Sequence, residues 1–179
     1  MLKKDSTVLV IVDVQGKLAH LMYEKKALFE GLRRLITGVR ILKIPILWAE
    51  QKPESLGPTI PEVAELLTDV QPISKSSFSC CRNDRFLEAL KNANRNQVLL
   101  VGIETHICVY QTAADLLSLG YEVQVVSDGV SSRTHWNRQV GLEKMRDAGA
   151  AVTSTETALF ELLEVAEGPQ FKQILEIVK

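Results

Sequence analysis

Residues 98–114, VLLVGIETHICVYQTAA, decide the fold of this chain. An unbroken apolar run, Val98–Val101, stops at Gly102, and the polar segment Glu104–His106 leads into an apolar-periodic segment that contains Cys108. This order predicts a buried strand, a tight turn and a helix. Cys108 would then lie in the first turn of a helix, where free backbone N–H groups and the helix dipole favour the thiolate. We therefore expect the pKa of this thiol to lie below its usual value of about 8.5.

Strands and helices alternate on both sides of this stretch. Helical spacing of apolar residues, as in Phe29–Leu42 and Arg133–Ala148, separates the candidate strands. Pro72 interrupts one of these strands, which indicates an edge position or only a short pairing. The further candidate strands are Thr7–Val12, Ile46–Ala49, Val70–Ser74, Tyr121–Val126 and Ala150–Val152. The alternation predicts an α/β protein with an open, mostly parallel sheet of about six strands and helices on both faces.

The C-terminal tail, residues 168–179, predicts a separate amphipathic helix. Gly168-Pro169 breaks the preceding helix, and Phe171, Ile174, Leu175 and Val178 then follow helical spacing. One face of this tail is too apolar to remain free in water, so we expect it to contribute to a homo-oligomer contact.

Composition limits the number of domains and the classes of partner. At 179 residues and 46% hydrophobic content, residues 1–179 form a single domain with one good core. The net charge of -1 comes from 21 basic and 22 acidic residues without long runs, which argues against nucleic-acid and membrane partners and favours a small-molecule substrate. Met1–Asp5 lacks the apolar segment of a signal peptide, and three cysteines cannot all pair. We therefore expect a cytoplasmic protein.

Three residues with reactive side chains follow predicted strands. Asp13 follows the first, Lys75 ends the third and Cys108 lies just beyond the fourth. Ligands of such sheets bind outside the carboxyl ends of the strands, so we expect the three side chains to share a cleft. There the lysine would favour the thiolate of the cysteine, while the aspartate could accept the thiol proton and return it to a leaving group. Each residue also fits a structural role, because aspartates cap turns and single cysteines pack as small apolar residues.

Four segments resemble successive motifs of the isochorismatase-like cysteine hydrolases. They are VIVDVQ at Val10–Gln15, KSSFS at Lys75–Ser79, VGIETHICVYQTA at Val101–Ala113 and VSDGVSSR at Val126–Arg133. The resemblance extends from about Thr7 to Leu163, and its specific element is the G-x-x-T-x-x-C pattern that ends at Cys108. It implies a Rossmann-like, three-layer α/β/α sandwich, in agreement with the alternation of strands and helices.

The resemblance also implies roles for individual residues. Asp13, Lys75 and Cys108 take the places of the catalytic triad of the family. A cis peptide would fall at Ile103–Glu104, and the N–H groups of Glu104 and Cys108 would form the oxyanion hole. Supporting and pocket-lining roles fall to Gln15, Gln51, Phe78, Ile103 and Thr105.

The loop after the second strand narrows the function. Nicotinamidases of this family carry an aspartate and two histidines there as metal ligands, whereas Glu50–Pro61, EQKPESLGPTIP, contains no histidine. His20, His106 and His135 are too scattered to replace them. We therefore expect no metal and no cofactor. The loop resembles instead the metal-free subgroup of isochorismatase domain-containing proteins.

Two functions from different classes follow. The first is a cysteine-dependent hydrolase that cleaves a C–N bond of a small amide- or carbamoyl-type molecule through a covalent acyl-enzyme. The second is a catalytically weak or inactive oligomeric protein that binds a small molecule on the same scaffold. A dinucleotide-binding site is disfavoured, because the sequence after the first strand, Asp13-Val14-Gln15-Gly16, lacks the G-x-G-x-x-G pattern.

Overall fold

The computed structural model describes residues 1–179 and contains one six-stranded parallel sheet. The strands are β1 (Thr7–Val12), β2 (Ile46–Gln51), β3 (Ile73–Lys75), β4 (Gln97–Ile103), β5 (Glu122–Ser131) and β6 (Ala151–Thr153). Their order across the sheet is β3-β2-β1-β4-β5-β6, with parallel pairing throughout. The chain reverses its direction of winding between β1 and β4. The carboxyl ends of these two strands are therefore the expected place for a ligand.

The central strands owe their position to uninterrupted apolar sequence. Every residue of β1 and β4 is buried. Alternate residues of β4 enter two different cores, since Leu99 and Val101 pack on one face of the sheet while Val98 and Leu100 pack on the other. Such strands need helices on both faces to cover them. The sequence prediction of a three-layer α/β/α fold is confirmed.

Nine helices complete the two outer layers. They are α1 (Gly16–Ala19), α2 (Lys25–Ile41), α3 (Pro53–Leu56), α4 (Pro61–Ala64), α5 (Asp84–Ala93), α6 (Tyr110–Ser118), α7 (His135–Asp147), α8 (Thr155–Leu163) and α9 (Gly168–Val178). Residues of α2, α8 and α9 fill one core, and residues of α5, α6 and α7 fill the other. No helix combines the length and apolar character needed to cross a bilayer.

The largest differences from the predicted strand limits are in β3 and β5. β3 is only three residues long and begins after Pro72, at the sheet edge where the proline predicted it. β5 continues five residues beyond the predicted end at Val126 and reaches Ser131. A register shift against β4 between Leu100 and Gly102 accommodates this extension. It brings the segment after β5 beside the carboxyl end of β4.

The apolar face of the C-terminal helix is covered in part by its own chain. Ile174 of α9 is fully buried in the core that α2 and α8 share. Gln170 Nε2 donates a hydrogen bond of 2.8 Å to the carbonyl oxygen of Ile41 at the end of α2. Ile177 and Val178 pack against the same core, so part of the apolar stripe at Phe171–Val178 is covered within the chain. The oligomer contact of this tail stays a prediction.

Candidate active site

Asp13 and Lys75 form a buried ion pair at the carboxyl edge of the sheet. Asp13 directly follows β1, and Lys75 is the last residue of β3. The Nζ atom of Lys75 lies 2.6 Å from Asp13 Oδ2, and their side chains are 1% and 4% exposed, respectively. β2 separates the two strands, so the lysine reaches across it to the aspartate.

Four acceptors surround the ammonium group of Lys75. Besides Asp13 Oδ2, these are Gln51 Oε1 at 2.8 Å and the carbonyl oxygens of Ser77 and Phe78, each at 3.1 Å. An ammonium has only three protons to donate, so its hydrogen-bonding capacity is filled by the protein. The lysine side chain is therefore held in place beside the aspartate by protein acceptors alone.

The second oxygen of Asp13 is in a different situation. Oδ1 is buried and has no hydrogen-bond partner. Burial raises the pKa of Asp13 above its usual value, although the Lys75 charge and its hydrogen bond oppose this, as does the nearby Cys108 thiol. Asp13 thus combines an unsatisfied oxygen with an increased affinity for a proton.

Cys108 lies in a one-turn π-helix, Thr105–Val109, which we call the Cys108 turn. The residue is 9% exposed. Burial raises the pKa of the Cys108 thiol, the negative charge of Asp13 raises it further, and the Lys75 charge only partly offsets both effects. The expectation of a lowered pKa was wrong, because loss of water around the sulfur outweighs the position of the residue before a helix.

Close packing holds the Cys108 turn against its surroundings. The peptide bond between Ile103 and Glu104 is cis, and the N–H groups of Ile107 and Val109 donate to the Glu104 carbonyl oxygen at 3.0 and 3.3 Å. On the outer side, a Cβ atom added to Gly141 of α7 would lie 2.6 Å from the carbonyl carbon of Thr105. Only a residue without a side chain allows the helix to approach the turn so closely.

A second ion pair fastens the start of the turn. Glu104 Oε1 accepts a hydrogen bond of 3.0 Å from Arg133 Nε, and Glu104 Oε2 accepts one of 3.1 Å from the Arg133 backbone N–H. The side chain of Glu104 is 7% exposed, whereas that of Arg133 is 55% exposed. His106 Nδ1 lies 3.0 Å from Ser132 Oγ. These contacts tie the turn to the extension of β5, and the sequence did not indicate them.

Two glutamines connect the triad to the following loop. Gln15 Oε1 accepts from the backbone N–H of Gln51 at 2.6 Å, and Gln15 Nε2 donates to the carbonyl oxygens of Gln51 and Gly57 at 3.1 and 2.8 Å. Gln51 in turn contacts Lys75 with its side-chain oxygen. Gln51 therefore contacts the ion pair directly, and Gln15 holds Gln51 and the following loop in place.

The remaining residues named from the sequence lie at the site in different ways. Ile103 is buried at the end of β4. The Thr105 hydroxyl is buried without a hydrogen-bond partner, so it does not brace the turn by a hydrogen bond. The Phe78 side chain is 55% exposed, and only its carbonyl oxygen reaches Lys75. No group of three or more His, Cys, Asp or Glu side chains is gathered to hold a metal ion.

These features define a class of protein: a three-layer α/β/α fold with an aspartate, a lysine and a cysteine at the carboxyl edge of its sheet. The sequence matches the isochorismatase domain over residues 7–157. The chain belongs to the isochorismatase family, as its motifs predicted.

Relatives and solved structures agree with this assignment. A secreted isochorismatase effector, Isc1, of Phytophthora sojae is 38% identical over 97% of this chain and 85% of its own length. Isochorismatase domain-containing protein 2A of Mus musculus is 38% identical over 98% of this chain and 84% of its own length. The structure of the MAR1 ribonuclease from Caenorhabditis elegans superposes with a TM-score of 0.92 at 37% identity, covering 99% and 91% of the two chains.

Proposed function

We propose that the protein is a cysteine hydrolase that cleaves a C–N bond of a small amide- or carbamoyl-type molecule. Asp13 accepts the thiol proton as Cys108 sulfur attacks the carbonyl carbon. When the C–N bond breaks, Asp13 returns that proton to the leaving nitrogen, and a thioester remains on Cys108. Asp13 then takes a proton from water, whose oxygen attacks the thioester carbon. The C–S bond breaks, the acid leaves, and Asp13 returns the proton to the Cys108 sulfur to restore the thiol.

The single observation that carries the proposal is a difference in hydrogen bonding within the Asp13–Lys75 pair. Lys75 has no proton left to donate to a substrate, whereas Asp13 Oδ1 accepts no hydrogen bond from any N–H or O–H group, and the Cys108 thiol is the remaining donor that acts on this carboxyl. An unsatisfied buried carboxylate oxygen lowers the stability of the folded protein. A catalytic role explains why such an oxygen is retained. A carboxylate with raised pKa beside a thiol is suited to receive a proton at neutral pH.

The negative charge that develops on the substrate oxygen needs donors. We assign this role to the backbone N–H groups of Glu104 and Cys108, at the two ends of the segment that forms the turn. Removing one such donor typically costs a factor of about 100 to 1,000 in kcat. The Glu104–Arg133 pair supports the assignment, because it fixes the backbone of Glu104.

A small neutral or weakly charged substrate fits the surroundings of the site. Cys108 is almost fully buried, and the net charge of -1 offers no basic surface for a polyanion. The names of the relatives point to different substrates, since one is an isochorismatase effector and another a ribonuclease. We therefore propose the substrate class from the site and not from these names.

The test is to trap the acyl-enzyme. The protein is incubated with a panel of primary amides and carbamoyl compounds, quenched in acid and digested, and the Cys108 peptide is weighed by mass spectrometry. We expect an acyl adduct on Cys108, and Cys108→Ala should abolish both adduct and turnover with an unchanged circular dichroism spectrum. Cys80→Ala is the matched control and should keep both. Turnover that persists in Cys108→Ala would contradict the mechanism.

One observation favours a second function. Because burial raises the pKa of Cys108, the resting thiol is protonated and a weak nucleophile. This favours a catalytically weak protein that binds a small molecule, and we propose a homo-oligomer for it as for the enzyme. A panel compound that raises the melting temperature without being hydrolysed would support this function. Light scattering during gel filtration measures the oligomeric state, and a monomer would contradict that part.

A further inference from the structure

Glu50 of β2 is a buried carboxylate that the proposed reaction does not use. The residue is 6% exposed. Its Oε1 atom accepts hydrogen bonds from the backbone N–H and the hydroxyl of Thr59, at 2.7 and 2.8 Å. The same hydroxyl accepts a hydrogen bond of 2.8 Å from Trp48 Nε1. All of these donors are neutral.

Glu50 differs in this respect from the two other carboxylates at the site. Asp13 and Glu104 each form a salt bridge, with Lys75 and Arg133, but Glu50 forms none. A buried carboxylate without a paired cation retains its influence on neighbouring charges, because the surrounding protein screens it weakly.

The sheet places the backbone of Glu50 beside Asp13. Val12 pairs in register with Ala49, and the Asp13 N–H donates to the Ala49 carbonyl oxygen at 3.1 Å. Asp13 therefore lies next to the peptide group that joins Ala49 to Glu50. Three ionisable groups act on Asp13 from the surrounding elements: Lys75 of β3, Glu50 of β2 and Cys108 of the Cys108 turn. Asp13 in turn raises the pKa of Cys80, in the 3-10 turn Cys80–Arg82.

Among these groups, Glu50 is the carboxylate that acts against Lys75. Burial keeps the thiols of Cys80 and Cys108 protonated by raising the pKa of each. Lys75 lowers the pKa of Asp13, and Glu50 raises it. The lysine and the glutamate thus act in opposite directions on the same carboxyl.

We propose that Glu50 is a positioning residue whose uncompensated charge makes Asp13 a stronger base toward the Cys108 thiol. This inference rests on the proposed function, because it requires Asp13 to exchange a proton with Cys108. The two hydrogen bonds from Thr59 hold the Glu50 side chain in place. The charge of Glu50 acts through Asp13, without contact with substrate.

The experiment measures how fast iodoacetamide alkylates Cys108 between pH 4 and 10, with the Cys108 peptide quantified by mass spectrometry. The acid limb of this profile reports the first proton lost by the coupled Asp13–Cys108 pair. Replacing Glu50 by glutamine removes a negative charge that opposes this ionisation. We expect Glu50→Gln to move the midpoint of the acid limb to lower pH by about one unit.

Three variants separate charge from structure. Glu50→Asp keeps the charge and should restore the wild-type midpoint. Trp48→Phe removes a hydrogen bond from the same cluster without changing charge, so it should leave the midpoint unchanged even where it lowers the melting temperature. Glu50→Ala supplies a second neutral variant if Glu50→Gln does not fold, and the same shift to lower pH is expected.

The outcomes distinguish this inference from the proposed function. A midpoint that stays at the wild-type pH in a folded Glu50→Gln or Glu50→Ala variant overturns the role of Glu50 and leaves the hydrolase mechanism standing. A profile that is identical in wild type and Asp13→Asn overturns both, because the acid limb then does not depend on Asp13.

Discussion

Asp13 and Glu104 are two buried carboxylates near the Cys108 turn, and each forms an ion pair. In one pair the cation has all of its hydrogen-bond partners, and in the other pair the carboxylate has them. In the Asp13–Lys75 pair the ammonium has four acceptors, while one aspartate oxygen has no partner. In the Glu104–Arg133 pair both carboxylate oxygens accept hydrogen bonds, and the arginine side chain is half exposed. In the first pair the carboxylate can still accept a hydrogen bond. In the second pair both carboxylate oxygens are already occupied.

This difference separates a chemical role from a mechanical one. Glu104 uses both of its carboxylate oxygens to join the turn to the segment that follows β5. Asp13 keeps a buried oxygen free next to a thiol. Proximity to the cysteine alone does not distinguish the two residues, but the list of their hydrogen-bond partners does.

The largest effect is expected from breaking the fully buried pair. Lys75→Met leaves Asp13 without its cation and should lower the free energy of unfolding by about 3–5 kcal/mol and abolish activity. Urea denaturation followed by fluorescence measures the loss. Lys17→Met, an exposed lysine of α1, is the matched control and should change stability by less than about 0.5 kcal/mol. A loss below about 1 kcal/mol in Lys75→Met would show that the pair is not a buried unit.

Displacement of the turn should have the next largest effect. Gly141→Ala places a methyl group 2.6 Å from the Thr105 carbonyl carbon and 2.7 Å from the His106 nitrogen. The helix or the turn must move, at a cost of about 1–3 kcal/mol, and alkylation of Cys108 by iodoacetamide should change in rate. Glu143→Ala, an exposed position on the same helix, serves as control. Wild-type stability in Gly141→Ala would contradict the close packing.

A smaller effect is expected at the exposed partner of the second pair. In Arg133→Gln, water can reach Glu104 and the backbone N–H of residue 133 still donates to it. We expect a loss of about 1 kcal/mol in unfolding free energy, measured by the same denaturation. A loss as large as that of Lys75→Met would remove the distinction between the two pairs.

The pH dependence of stability tests the first pair through a single proton. Since burial raises the pKa of Asp13, the folded protein binds this proton more tightly than the unfolded chain, whose value is near 3.8. The stability that Asp13 contributes is complete below pH 3.8 and is lost as pH rises through the folded pKa. The unfolding free energy of wild type relative to Asp13→Asn should therefore fall above pH 4, by up to about 1.4 kcal/mol per pH unit. A difference that rises with pH would reverse the sign.

Local patterns in the sequence predicted most of the fold. Uninterrupted apolar runs identified β1 and β4, and Pro72 identified the edge strand. The extension of β5 to Ser131 was missed, because it depends on a register shift against β4 that no local pattern records. The partner of the C-terminal helix was missed for a similar reason, since an apolar stripe does not specify which surface it covers.

The candidate site was predictable in its members but not in its electrostatics. Motifs named Asp13, Lys75 and Cys108, and strand ends explain why they meet. The direction of the Cys108 pKa shift depends on the degree of burial, which spacing along the chain does not give. The hydrogen bonds between Glu50 and Thr59 join residues nine positions apart across a loop. No periodic pattern in the sequence indicates such a contact.

The central claim is that Asp13 is the base for Cys108, and one measurement tests it most directly. The rate of Cys108 alkylation by iodoacetamide is followed against pH in wild type and in Asp13→Asn, with the Cys108 peptide quantified by mass spectrometry. In wild type the acid limb should follow the carboxyl of the Asp13–Cys108 pair. In Asp13→Asn only the thiol remains to titrate, so the midpoint should move to higher pH by more than about one unit. An unchanged midpoint would contradict the account.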